Sequence, residues 1–178
     1  MEFVMMDAEQ IATYAEEILS MLRCSDKEFV PPLSARSSTT QKDLSGGECS
    51  EEGIQSYFTE MCRQRILGAF EGSVLLGFVS FRENYTNDVI GSDCLPNIYL
   101  STLVSKPEAR GKGMTVKMYE HLFNRLYADR YILTRTWSTN YAHTRILEKF
   151  AFEELCRISN DRGAGIDTVY YKRKPFRN

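Results

Sequence analysis

The chain has 178 residues, a length that suits one domain with its own buried core. Its formal net charge is -2 and 26% of its residues are charged, so nothing global asks for nucleic acid or an anionic membrane surface as partner. Five scattered cysteines with no Cys-x-x-Cys pair, and two isolated histidines, His121 and His143, argue against a zinc site and for reduced thiols in a cytoplasmic protein.

The first segment has no basic leader and no long apolar run, so no signal peptide or membrane span is expected. Apolar residues at Ile11, Tyr14, Ile18 and Leu22 form a helical stripe over Ala8 to Leu22, with Asp7 as N-cap. From Arg23 to Gly47 the pattern is irregular. Pro31-Pro32 forbids a helix there, and Gly46-Gly47 closes a Ser/Thr-rich stretch. This segment is either a connecting loop or a lid. A second helix follows, marked by Ile54, Tyr57, Phe58, Met61 and Arg65, with Glu51 and Glu52 in its first turn.

Ile66 to Phe70 and Val74 to Phe81 read as a hairpin around Glu71-Gly72-Ser73. After a polar excursion from Asn84 to Pro96 comes a β-branched strand, Ile98 to Val104. The next helix carries its core stripe at Val116, Tyr119, Leu122, Phe123 and Leu126. Tyr131 to Trp137 is a strand and His143 to Phe150 a short helix. Leu155 to Ser159 and Asp167 to Arg173 form a closing antiparallel pair. The basic run Lys172 to Arg177 reads as a solvated strand end.

The most informative stretch joins the strand at Val104 to the helix after Gly113. A strand, a glycine turn and a helix N-terminus in that order make an anion site. The glycines let backbone approach a ligand, the first amides of the helix lack partners, and the helix dipole favours negative charge. Gly111-Lys112-Gly113-Met114 fails the P-loop pattern at the Lys and hydroxyl positions. Val116 stands where a dinucleotide fingerprint needs its third glycine.

What remains is Arg110-x-x-Gly113-x-Thr115. It resembles the acetyl-CoA pyrophosphate loop of the GNAT acyltransferase superfamily, whose pattern is Gln/Arg-x-x-Gly-x-Gly/Ala. A second stretch, Asn140-x-x-His143-x-x-Ile146-Leu147-Glu148-Lys149-Phe150-Ala151-Phe152, is similar to the family's Asn-x-x-Ala-x-x-Leu-Tyr-Glu-Lys-x-Gly-Phe at the same spacing. The resemblance implies a single α/β (α+β) domain over residues 1–178. Its core would be a mostly antiparallel mixed sheet of six to seven strands with about four helices, splayed at the cofactor site.

The resemblance also implies an acyl-CoA-dependent N-acyltransferase with acetyl-CoA as co-substrate and no metal. The acceptor would be a small-molecule or peptide amine, and a homodimer is possible. Cofactor contacts would come from Leu103, Val104, Arg110, Gly111, Lys112, Gly113, Met114, Thr115 and Asn140. The alternative is a catalytically weak acyl-CoA-binding sensor or interaction module. That reading draws on Leu147, which stands where many members carry a Tyr that protonates the leaving thiolate. His143 and Tyr141 are then the candidate general acids, His143 because an unperturbed imidazole titrates near pH 6.5. By its place between the first two helices, the segment from Phe29 to Gly47 would flank the acceptor entrance. Phe29, Arg36 and Ser37 are its candidate contacts, Arg36 for an acceptor bearing a carboxylate or phosphate.

Overall fold

The computed structural model describes residues 1–44 and 47–176. A single seven-stranded sheet runs through it: β1 (Glu2–Met5), β2 (Arg65–Glu71), β3 (Val74–Glu83), β4 (Asn97–Ser105), β5 (Tyr131–Trp137), β6 (Glu153–Ile158) and β7 (Thr168–Arg173). Their spatial order is β1-β2-β3-β4-β5-β7-β6. Every neighbouring pair is antiparallel except β4 with β5. The parallel pair needs a crossover, and α4 (Met114–His121) supplies it.

Helices cover both faces. On one side α4 and α5 (Tyr141–Lys149) pack with Phe81, Leu100, Phe123, Ile132 and Leu147. On the other, α1 (Ala8–Thr13), α2 (Ala15–Ser25) and α3 (Glu51–Met61) pack with Ile66, Phe70, Phe78 and Val104. Burying an aromatic such as Phe78, Phe81 or Phe123 contributes about 1.5–3 kcal/mol each, enough to hold both layers against the sheet. A third cluster joins Tyr99, Leu133 and Tyr170 to Ile90 and Cys94 of the excursion between β3 and β4.

Several sequence expectations change. The helix over Ala8 to Leu22 is two helices meeting at Tyr14, whose ring packs on Phe70 and whose hydroxyl donates to the Ser73 carbonyl at 3.0 Å. Strand β1 was not expected, because four residues at a sheet edge carry too short an alternation to stand out. Leu126 is 43% exposed, not core. Helix α4 runs on into a π turn over Leu122–Leu126, with the Tyr127 amide donating to the Leu122 carbonyl at 3.0 Å. That wider turn rotates Leu126 outward and Tyr127 inward. Arg173 is buried, stacked on Phe123 and Phe176 and bonded to Asn124, so the C-terminal basic run is not simply solvated.

The irregular segment is packed rather than loose. Leu33 and Leu44 are buried, and Thr39 is held by Glu60 and Gln64. Gly46 lies outside the described residues. No helix is long and apolar enough to cross a membrane among the described residues. The five cysteines are free thiols.

Candidate active site

The site begins where two strands part. β4 and β5 pair only from Asn97 opposite Tyr131 to Leu100 opposite Thr134. At that fork the Thr134 hydroxyl donates to the Leu100 carbonyl at 3.2 Å. Beyond it, Ser101 to Ser105 is bonded to β3 alone and Arg135 to Trp137 to β7 alone. In an antiparallel ladder alternate backbone groups face away from the partner strand, so part of β4's backbone opens into the gap. A bulge deepens this: the register shifts between Ser80 and Phe81, leaving Ser101 without an opposite residue. Its hydroxyl is tied to the Ser80 carbonyl at 3.1 Å and to Gln64 at 2.5 Å. The result is a cleft of about 320 Å³ that runs between the two strands.

At the β4 end of the cleft stands the glycine loop. Gly111 and Gly113 have φ of 72° and 71°, the left-handed region that favours glycine, and space is open where a Cβ would sit on either. Gly113 caps α4. Among the described residues, no acceptor takes the amide hydrogens from Gly111 to Val116. This is a backbone cradle for an anion at a helix N-terminus. The Met114 side chain turns away into the core, against Gly77, so only its backbone serves the loop.

The sequence profile of the acetyltransferase (GNAT) family matches residues 34–152. The chain belongs to that family. No curated protein sequence matches it. Solved structures share the GNAT fold at low identity. A CoA complex of an aminoglycoside 6'-N-acetyltransferase is 12% identical, with a TM-score of 0.68 over 100% of this chain and 99% of that one. A ribosomal-protein-alanine N-acetyltransferase from Brucella melitensis is 12% identical, with a TM-score of 0.66 over 98% of this chain and 99% of that one. A Salmonella typhimurium protein solved with its cofactor acetyl-CoA is 13% identical, with a TM-score of 0.65 over 100% of this chain and 95% of that one.

In this GNAT chain Leu103, Val104, Arg110, Thr115 and Asn140 line the cleft, whereas Gly111, Lys112 and Gly113 are exposed and are not part of its lining. Arg110 is already engaged: it donates to the Ser105 carbonyl at 3.2 and 3.3 Å and pairs with Glu28 at 2.9 Å. Lys112 has no partner among the described residues. Asn140 caps α5, accepting from the His143 amide at 3.3 Å, and its side-chain NH₂ donates to the Thr136 hydroxyl at 3.0 Å.

His143 lines the cleft, and its Nε2 lies 2.9 Å from the Tyr119 hydroxyl. Burial lowers its pKa to about 4, so the imidazole is neutral near pH 7. At neutral pH the ring then lacks the imidazolium proton that a general acid would give. Tyr141 is 67% exposed and does not line the cleft. Leu147 is buried in the core beneath α5 and does not reach the cleft either.

Of the three residues expected at the acceptor entrance, Phe29 lines the cleft, but Arg36 and Ser37 do not. Arg36 is turned inward, donating to the Pro31 carbonyl at 3.1 and 2.8 Å and stacking on Phe29 at 5.4 Å. Ser37 is exposed, tied to Gln41. Sequence reasoning missed Tyr119, Arg135, Trp137 and Glu28, all of which line the cleft. Tyr119 read as part of an apolar stripe. The only signal in the sequence was its hydroxyl, which a buried position obliges to find a partner.

Proposed function

We propose that this protein is an acyl-CoA-dependent N-acyltransferase that moves an acetyl group from acetyl-CoA to an amine by direct attack in a ternary complex. The observation that carries the reading is the adjacency of two features: the partnerless amides from Gly111 to Val116, a stretch that reaches the cleft lining at Arg110 and Thr115, and the unpaired edge of β4 that opens into the same cleft. The amides fit a pyrophosphate, with Arg110 and Lys112 beside them. Leu103 and Val104 fit an extended arm laid along β4. Acetyl-CoA supplies the activated thioester.

The residues then have three tasks. Backbone N–H groups on the open edge of β4 stabilise negative charge on the carbonyl oxygen, and donors fixed in advance often contribute the largest single term. The cleft must receive the amine in its neutral form. A Lys-like amine with a pKa of about 10.4 costs roughly 4–5 kcal/mol to deprotonate at pH 7. Tyr119 carries the most acidic hydroxyl of the lining, and burial raises its pKa further. A thiol near pKa 8.5 is the stronger acid. Tyr119 therefore serves as a hydrogen-bond donor to the departing sulfur, not as an outright proton source. The proton shed by the attacking nitrogen ends on that sulfur. Neutral His143 holds the phenol in place.

The Leu147 departure thus does not by itself favour a binding module, since Tyr119 brings a phenol to the cleft from a different helix. The test pairs two measurements on the wild-type protein: titration calorimetry with CoA, and thiol release from acetyl-CoA across a panel of amines. Micromolar CoA binding with amine-dependent thiol release is expected. Binding without release from any amine would reduce the chain to an acyl-CoA-binding module.

A further inference from the structure

Three arginines from distant segments converge behind the β5 wall of the cleft. Arg36 comes from the stretch between α2 and α3, Arg135 from β5, and Arg162 from the turn between β6 and β7. Arg36 and Arg162 are 7% and 6% exposed. Arg135 is half-buried and lines the cleft. Among the described residues none of the three forms an ion pair with a carboxylate.

Their partners are neutral. Arg36 donates to the Pro31 carbonyl. Arg162 donates to the Val30 carbonyl at 2.6 Å and to the Thr168 hydroxyl at 2.9 Å. Aromatic faces complete the shell: Arg36 over Phe29 at 5.4 Å, Arg162 over Trp137 at 5.7 Å and Arg135 over Tyr170 at 6.0 Å. The Asp161 carboxylate bears on Arg162, but it accepts from the Thr168 hydroxyl and forms no ion pair with the guanidinium. Burial first, then the charges of Arg36 and Arg135, push the Arg162 pKa down to about 9, which leaves it cationic at neutral pH.

Arg135 is the least satisfied of the set. Its Nη1 has a long contact of 3.4 Å to the Tyr170 hydroxyl, and its Nη2 is buried without a partner. Carbonyls and ring faces solvate a guanidinium but do not neutralise it, and buried cations without a counter-charge are costly. In the cleft lining Glu28 and Arg110 neutralise each other and His143 is neutral. Arg135 therefore leaves the cleft positive on this side. Phe29 and Trp137, with ring centroids 5.8 Å apart, set apolar surface in the same lining.

We infer that Arg135, backed by Arg36 and Arg162, is the carboxylate subsite for the acceptor, so that the amine acetylated here is an amino acid or amino-acid-like molecule with a free carboxylate, not a polycation. A guanidinium fork matches a carboxylate bidentately. The missing counter-ion of the cluster is then the ligand itself. The identification of this ligand as an acceptor rests on the transferase reading above.

The test titrates CoA-loaded protein with the proteinogenic amino acids and with their carboxamides. At least one acid is expected to bind about tenfold or more tightly than its amide. Arg135→Gln should abolish that preference, Arg135→Lys should restore it in part, and CoA affinity should stay unchanged in both. Arg135→Gln should also raise the Tm of the unliganded protein, because it relieves repulsion within the cluster, as changes at binding sites often do. A purely structural arginine would instead lower it. Thiol release is then compared for acids, amides, O-phosphoethanolamine and the polycation kanamycin. Equal use of amides or kanamycin, with no effect of Arg135→Gln on the acceptor KM, would overturn the subsite while leaving the transferase reading intact. Preference for O-phosphoethanolamine over every acid would overturn the carboxylate assignment. Acids that bind through Arg135 without releasing thiol would keep the subsite and end the transferase reading. Failure of every amino acid to bind would overturn the subsite.

Discussion

At the β4 end of the cleft, the groups open to negative charge are backbone amides. Gly111 and Gly113 turn the chain so that amides at the start of α4 are left without acceptors, and of the two cations beside them Arg110 is already paired with Glu28. At the β5 end the same job falls to side chains. Arg135 stands there with one nitrogen unpartnered, and Arg36 and Arg162 are buried behind it. A backbone cradle is neutral when empty, so the fold tolerates it at little cost. A cluster of buried guanidinium groups is strained until something anionic arrives. The first kind of site is cheap to keep open and the second is poised to discriminate.

The largest separation of the two ends should come from Gly113→Glu. It forces an L side chain into a left-handed turn and sets a carboxylate against the cradle, so CoA affinity should fall by roughly 10²-fold or more in titration calorimetry. Retention of the wild-type CoA affinity would show that the loop does not hold the cofactor.

Between the two ends lie His143 and Tyr119, which respond to pH and to phenol removal. The folded-state pKa of His143, about 4, lies below the ordinary 6.5, so between these values the unfolded chain holds a proton that the native one does not. Stability is therefore complete above about pH 6.5 and falls as pH drops towards 4, by about 3 kcal/mol in all from this one group. Denaturation at stepped pH should show that loss, and His143→Gln should flatten it. If the acid limb is the same in both proteins, the ring is not desolvated as its environment implies.

Tyr119→Phe removes the phenolic hydroxyl and keeps the ring. It should lower kcat by about 10- to 10²-fold with CoA affinity unchanged. Full turnover in steady-state kinetics would leave the departing sulfur to water.

The smallest effect is expected for Glu28→Gln. It frees Arg110 from an exposed ion pair of the kind that contributes about 0.2–1 kcal/mol, so CoA should bind about 2- to 5-fold more tightly at low salt. The gain should fade as salt is added. Weaker binding would mean that Glu28 orients Arg110 and does not compete for it.

How readable each end was in the sequence follows from chain distance. The cradle lies within a few consecutive residues, and its glycines, its strand and its helix all left local marks. Asn140 and the helix after it were equally plain. The β5 end draws on Arg36, Arg135 and Arg162, and no local pattern links residues so far apart. Arg36 was expected at the entrance on its charge and loop position alone. The structure turns it inward, where it grips the Pro31 carbonyl, and gives the cleft position to Arg135. Within the fold the misses have a similar origin. The bulge at Ser101 shifts which face of β4 its residues occupy, so Thr102 meets Tyr57 of α3 at 2.7 Å while Leu100 packs on the α4 side. The π turn does the same to Leu126 and Tyr127. Hydrophobic period alone carries no mark of one inserted residue.

The sequence by itself determined the order of strands and helices from β2 onward, the glycine loop and the family, because each depends on near neighbours and on short-range periodicity. Only the tertiary structure decided where β4 and β5 part, that Tyr119 meets His143, and that three arginines share one corner. Those outcomes depend on which residues of different segments are pressed together when the two helical layers close on the sheet. Burial then sets the charge state of His143 and leaves Arg135 without a counter-ion.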